Sequence, residues 1–302
     1  MTGNNQAAVI SIINFKGGVG KTTTSVNVAA NLAHYHNRRV LLIDLDPQAS
    51  STTLLLRGER YYREIFPRKK SLPYMIHDLY RNRRLTSRRW IQKGFLTDAE
   101  GKGLIPTLEM IPGDPRTTTL ERFFQRRHYV LKNLVLSIRS EYDFIVFDCP
   151  PTMMPLTLNV LAATDYYIIP TIPDPLSTMG IRLLISRIHS GLSDLTQFQS
   201  KYPELLGIVF TKVSPVSEVH KRYIDSVTEE FEAGGYRQFG IGSGKGEAGS
   251  IFTQKIRESA DVLKAFESSL PLCAHNGESR VCGDYRNLTD EILRRIESKK
   301  PT

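Results

Sequence analysis

The strongest constraint on this chain is the run Lys16-Gly17-Gly18-Val19-Gly20-Lys21-Thr22-Thr23, set between an apolar segment and a helical one. Residues 7–13, closed by Asn14, read as a buried β-strand. Residues 22–36 place Val26, Ala29, Ala30 and Ala33 on one face of a helix. A glycine loop between a strand and a helix is the setting of a phosphate cradle. The glycines allow backbone N–H groups to turn inward around phosphate oxygens, and the helix contributes the positive end of its dipole. Gly17, Gly18, Val19, Gly20, Lys21, Thr22 and Thr23 are therefore expected to hold a nucleotide. Lys21 would reach the β- and γ-phosphates, and the Thr22 hydroxyl would coordinate Mg²⁺. Phe15 stands where the common form of this loop begins with glycine, and Lys16 adds a second lysine at its head.

The remainder alternates short apolar runs with helical patterns, the signature of βαβ units and a mostly parallel, doubly wound α/β sheet with helices on both faces. RVLLIDLD (39–46), TLEMIPG, FIVFDCPP, DYYIIPTIP and LLGIVFTKV read as further strands with their exit loops. Helices are expected at about 117–139, 156–163, 177–190 and 217–232. A last amphipathic pattern at 285–298 carries Leu288, Ile292 and Ile296. The stretch 57–106 breaks the rhythm and reads as an elaboration of one domain spanning 1–302. The seven glycines between 233 and 249 predict a flexible loop.

With its two lysines, KGGVGKT resembles the deviant Walker A loop of the family that includes ParA, MinD and the nitrogenase iron protein. Asp44-Leu45-Asp46-Pro47-Gln48 resembles the DxDPQ segment of the ParA branch, and Asp148-Cys149-Pro150-Pro151 its DxPP turn. IIPTIPDPLSTMGI, GIVFTKV and IFTQKIRESADVLKA resemble later segments of the same proteins. The resemblance covers almost the whole chain and implies a P-loop ATPase using ATP and Mg²⁺. Within it, Lys16 would act across a dimer interface on the partner's nucleotide, as an arginine finger does. Asp46 would orient the attacking water, Asp44 would lie near the metal, and Asp148 would hold Mg²⁺ through water. Thr211 and Lys212 occupy the strand end that contacts adenine. The family's DNA-gripping surface points to Lys221, Arg222, Lys255 and Arg257, with Arg182 and Arg187 behind them.

The resemblance also implies partners: a second copy joined by ATP, double-stranded DNA bound without sequence preference, and a ParB-like cargo adaptor that stimulates hydrolysis. A cytoplasmic, nucleoid-associated protein follows, of the short type without a repressor domain. The start has no basic signal region, and Cys149, Cys273 and Cys282 fit a reducing compartment but offer no metal spacing. A MinD-like membrane helix is disfavoured because the apolar face of the tail is narrow. A dethiobiotin-synthase-like phosphoryl-transfer enzyme remains the alternative in another class. Charge adds one feature that the resemblance does not cover. The chain carries a formal net charge of +9, and residues 57–93, with twelve Lys/Arg against three acids, account for all of it. A block of this kind implies an anionic partner.

Overall fold

The computed structural model describes residues 6–82, 88–98, 100–125, 127–152, 155–193, 202–239, 241 and 251–299. Six apolar runs form strands β1 (Ala8–Ile12), β2 (Val40–Asp44), β3 (Leu108–Ile111), β4 (Phe144–Asp148), β5 (Tyr166–Thr171) and β6 (Glu204–Phe210). Among the described residues they make one all-parallel sheet in the order β3-β2-β4-β1-β5-β6. The inner strands are buried on both faces, so they read as continuous rather than alternating apolar runs.

Alternate side chains feed two apolar layers. On one face, Ile10, Ile12, Leu42 and Val146 pack with Val26 and Leu32 of α1 (Lys21–His34) and Leu288 and Ile292 at the C-terminal end of the chain. On the other, Val9, Leu41, Ile43 and Phe147 pack with helices from the middle of the chain. In chain order the remaining helices are α2 (Ser50–Leu55), α3 (Gly58–Arg60), α4 (Leu72–Asn82), α5 (Leu120–Phe124), α6 (Val130–Ile138), α7 (Pro155–Ala163), α8 (Pro175–Ser193), α9 (Glu218–Glu232), α10 (Asp261–Glu267), α11 (Leu272–His275) and α12 (Arg280–Glu297).

The doubly wound architecture is as expected, and the structure adds three details. The helix expected over 117–139 is broken into α5 and α6. The Asn159 side chain on α7 accepts the Val130 N–H at 3.0 Å and donates to the Arg127 carbonyl at 2.7 Å, stabilising a turn between the two helices. The described part of the elaboration at 57–106 is packed. It contains α3, a π-helical turn at Tyr61–Ile65 and α4, and it buries Tyr61, Ile65 and Trp90. Its Gln92 forms an antiparallel bridge to Met110 on the edge strand β3. The glycine-rich stretch is ordered in its first part, where Tyr236 is buried and stacks on Phe231 at 4.0 Å between ring centroids. Residues 240 and 242–250 of that stretch lie outside the described residues.

Candidate nucleotide-binding site

The C-terminal ends of β1, β2 and β4 converge where an open α/β sheet forms its ligand crevice. The loop after β1 takes left-handed backbone at Gly18 (φ 76°) and Gly20 (φ 82°), which only glycine adopts cheaply. Asn14 fixes its start, donating to the Pro170 carbonyl at 2.8 Å and accepting the Lys16 N–H at 2.9 Å. The loop and the first turn of α1 form one wall of a cleft of ≈ 590 Å³, a volume suited to a nucleotide. Asp46, Ser50, Thr53 and Phe266 face them across it. Lys21 is buried, and its Nζ donates to the Lys16 carbonyl at 3.0 Å. Burial lowers its pKa, opposed by the nearby Asp148, Asp46 and Cys149.

Asp44 and Asp148 lie side by side in register on β2 and β4, both fully buried. Burial pushes the Asp44 carboxyl up to about 6, against hydrogen bonds from Thr52. Burial, and then the charge of Asp44, pushes Asp148 up to about 7, against the hydrogen bond from the Ser25 hydroxyl. The two carboxylates differ in their free valence. Asp44 Oδ2 accepts the Thr52 N–H at 2.9 Å and its hydroxyl at 2.6 Å, while Oδ1 accepts the Asp46 N–H at 3.1 Å. Asp148 Oδ1 accepts from Ser25 at 3.1 Å, but Oδ2 has no partner, and neither does the buried Ser51 hydroxyl. A carboxylate oxygen buried without a donor is costly unless a cation uses it. The oxygen donors of Asp148, Thr22 and Ser51 therefore suit Mg²⁺, and Asp44 beside them also positions the loop that carries Asp46. Asp46 is half-buried on the cleft wall, and its Oδ1 accepts the Gln48 N–H at 2.8 Å.

Lys16 stands apart from the cleft that Gly17, Gly18 and Lys21 line. Its Nζ donates to Asp174 Oδ1 and Oδ2 at 3.2 and 3.1 Å and to the Ser177 hydroxyl at 2.7 Å. Asp174 also caps α8, accepting the Ser177 N–H at 2.7 Å ahead of Pro175 in the first helical position. Burial would raise the Asp174 pKa, but the Ser177 and Lys16 hydrogen bonds outweigh it and the net shift is downward.

On the far side of Gly20, a smaller hollow of ≈ 190 Å³ is bounded by Lys212, Ile256, Val262, Leu263 and Tyr285. Thr211 lines this hollow as well, and its buried hydroxyl donates to the Val19 carbonyl at 2.8 Å, buttressing the phosphate loop. Lys212, exposed with φ 52°, borders both hollows. Sequence reasoning missed Thr52, Phe266, Asp174 and Gly113. Only Asp174, in the helix-opening pair Asp174-Pro175, left a readable signal.

Of the residues expected to contact DNA, Lys221, Lys255 and Arg257 line one hollow of ≈ 380 Å³, together with Asp225 and Asp284. Arg257 is clamped by Asp284, at 2.7 Å from Nε and 2.8 Å from Nη2. Arg182 pairs with Glu230. Lys221 and Arg222 are exposed on α9, which also carries Glu218, Asp225, Glu229, Glu230 and Glu232. Lys255 and Arg187 are exposed.

Comparison with known proteins agrees with this geometry. Residues 7–197 match the AAA domain family. The chain is 26% identical to the virulence plasmid ParA family protein pGP5-D of Chlamydia psittaci, over 96% of this chain and 95% of that protein. It is 26% identical to the chromosome partitioning protein ParA of Myxococcus xanthus, over 97% and 90%. A single-residue variant of Cyanothece McdA in complex with ATP shares the fold, with a TM-score of 0.72 and 18% identity over 98% of this chain and 99% of that one. With its phosphate loop, second lysine and paired strand-end aspartates, the chain belongs to the ParA family of P-loop partitioning ATPases.

Proposed function

We propose that this protein is an ATP-driven dimerising switch that binds duplex DNA without sequence preference and positions a plasmid, a chromosome or a protein body. The observation that carries this reading is the place of Lys16, next in the chain to Gly17 on the cleft wall yet with its own side chain held outside that wall by Asp174 and Ser177. A lysine there serves a second copy's nucleotide better than its own. Leu176, Met179 and Leu183, exposed along α8 beside Asp174, give that copy an apolar stripe to cover. The partitioning names of the relatives and the ATP complex of Cyanothece McdA support the same reading.

In the proposed cycle, backbone N–H groups of Gly17–Thr22 orient the phosphates, and Lys21 leaves the Lys16 carbonyl for the β- and γ-oxygens. Asp148 and Thr22 would hold Mg²⁺, which supplies charge neutralisation at the γ-phosphate. Asp46 orients the attacking water, and the partner copy's second lysine balances charge on the transferring group. An adaptor of ParB-like role triggers hydrolysis and release. The C-terminal helix offers no free membrane face, since Leu288, Ile292 and Ile296 are buried. Among the described residues no helix is long and apolar enough to cross a membrane.

The decisive experiment is Lys16→Gln. The variant should bind nucleotide as the wild type does, yet lose ATP-driven dimerisation and DNA-stimulated hydrolysis. A variant that dimerises and turns over normally, or a wild type whose turnover requires a small-molecule acceptor, refutes the proposal.

A further inference from the structure

We infer that the segment from Arg57 to Arg81 is the surface that grips the phosphate backbone of duplex DNA, and that the nucleotide cleft sets its position. The inference rests on the proposed ATP switch and names where that switch meets DNA.

The first argument is which cations are free. A cation already paired with a carboxylate has few counterions to release, so it adds little to polyanion binding. Within the basic block, Arg60 pairs with Glu64, Arg63 with Glu59, Arg88 with Glu141 and Lys93 with Glu109. Arg57, Arg68, Lys69, Lys70 and Arg81 have no ion-pair partner among the described residues, and all but the half-buried Lys70 are exposed. The rival surface is poorer. Lys221, Lys255 and Arg257 border one hollow, but Asp225 and Asp284 line it too, Arg257 is clamped by Asp284, Arg182 pairs with Glu230, and the acids of α9 outnumber Lys221 and Arg222.

The backbone supports the same assignment. Arg57 and Lys69 have φ of 54° and 55°, a region that long side chains rarely adopt. Glycine would fit both turns without strain, so two basic side chains are kept there against the local preference. Between them, buried Tyr61 and Ile65 anchor the segment, and the Lys70 N–H bonds to the Ile65 carbonyl at 3.1 Å. Arg68, Lys69 and Lys70 are thus presented on a fixed turn.

The part of the segment from Arg57 to Lys70, which carries the cationic turn, is attached to the nucleotide site at both ends. α2 lines the cleft with Ser50, Thr53 and Leu54, and ends at Leu55, just ahead of Arg57. At the other end, the Leu72 N–H bonds to the Pro112 carbonyl at 2.9 Å, and the Ser71 hydroxyl to Asp114 at 3.0 Å. Gly113, between those anchors, donates its N–H to the Thr52 hydroxyl at 2.7 Å, and Thr52 in turn holds Asp44. A nucleotide that shifts α2 therefore shifts the cationic turn. An anionic membrane fits less well, because Tyr62 and Tyr80 are the large apolar side chains the segment exposes, and neither sits on an apolar helical face.

The test uses the full chain with ATP and Mg²⁺, a fluorescein-labelled duplex and a salt series. Arg68→Glu/Lys69→Glu/Lys70→Glu is compared with Lys221→Glu/Arg222→Glu. The first variant should bind at least about tenfold more weakly, and its plot of log K against log salt should flatten by about 2 to 3 units, roughly 0.9 for each phosphate no longer neutralised. It should still dimerise with ATP. Arg68→Gln/Lys69→Gly/Lys70→Gln, which relaxes the backbone while removing the charge, should show the same weakening if charge reversal disturbs folding. Wild-type binding that persists unchanged in both triple variants overturns the inference and leaves the switch standing. So does selective loss in the Lys221/Arg222 variant. A wild type that ignores duplex DNA refutes the DNA part of the proposed function itself. Binding to phosphatidylglycerol vesicles in place of duplex DNA, abolished in the triple variants, overturns the inference in favour of a membrane partner.

Discussion

Asp174→Asn should tighten ATP-driven dimerisation. In the single chain, Lys16 is tied to Asp174 and Ser177, and those bonds must break before the lysine can reach a partner's phosphate. The side chains of Lys16 and Asp174 are 38% and 31% exposed, so solvent screens their attraction to about 0.2–1 kcal/mol. A symmetric dimer breaks two such pairs, about 0.4–2 kcal/mol in total. Removing the restraint should therefore lower the dimer dissociation constant about 2- to 30-fold. Asparagine keeps a side-chain oxygen for the Ser177 N–H, so the α8 cap survives while the charge goes. Sedimentation velocity with ATP and Mg²⁺ measures the effect, best in an Asp46→Ala background that retains the nucleotide. The gain should shrink at high salt as screening weakens the wild-type restraint. Unchanged or weaker dimerisation in a variant of normal thermal stability would refute the reasoning and make Asp174 a contributor to the dimer.

Three further substitutions probe the site. Asp46→Ala should slow phosphate release about 100-fold or more while nucleotide binding and dimerisation persist, because the water loses its orienting group. Asp148→Asn should stabilise the nucleotide-free protein above neutral pH. The raised carboxyl binds its proton more tightly when folded, so the wild type loses stability as pH rises from about 4 to about 7. The asparagine variant escapes that loss, by about 2–4 kcal/mol at pH 8 and little at pH 4, as thermal melts across that range will show. Gly113→Ala would bring a Cβ to 2.8 Å from Asp44 Cγ, costing about 1–3 kcal/mol and weakening the dependence of DNA binding on ATP.

Much of this was legible in the sequence because local rules and the fold agree. The strand before Lys16, the aspartates ending β2 and β4, and the buried face of Leu288, Ile292 and Ile296 follow from pattern alone. What escaped was set by contacts distant in sequence. The division of 117–139 depends on Asn159, which no local window contains. Thr211 lines the hollow at the strand end, and the bond from its hydroxyl to the Val19 carbonyl, far away in sequence, is visible only in the fold. The sequence placed Asp44 near a metal, and the structure adds that it accepts hydrogen bonds from Thr52 and Asp46. Composition located the basic block, while the ion pairs that separate its free cations from its neutralised ones needed coordinates.

The central place of β1 has a kinetic consequence. Its register joins Ala8 to Phe144 on one side and Ile10 to Tyr166 on the other, so the strand that carries the phosphate loop cannot be paired until distant chain has folded back. Such long loop closures slow folding and concentrate the barrier in late, non-local pairing. The phosphate loop should therefore be among the last regions to gain protection from hydrogen exchange during refolding, well after the helices α6 and α7, which pack on each other from nearby in the chain. ATP added to refolding chains would then act after the rate-limiting step, slowing unfolding far more than it speeds folding.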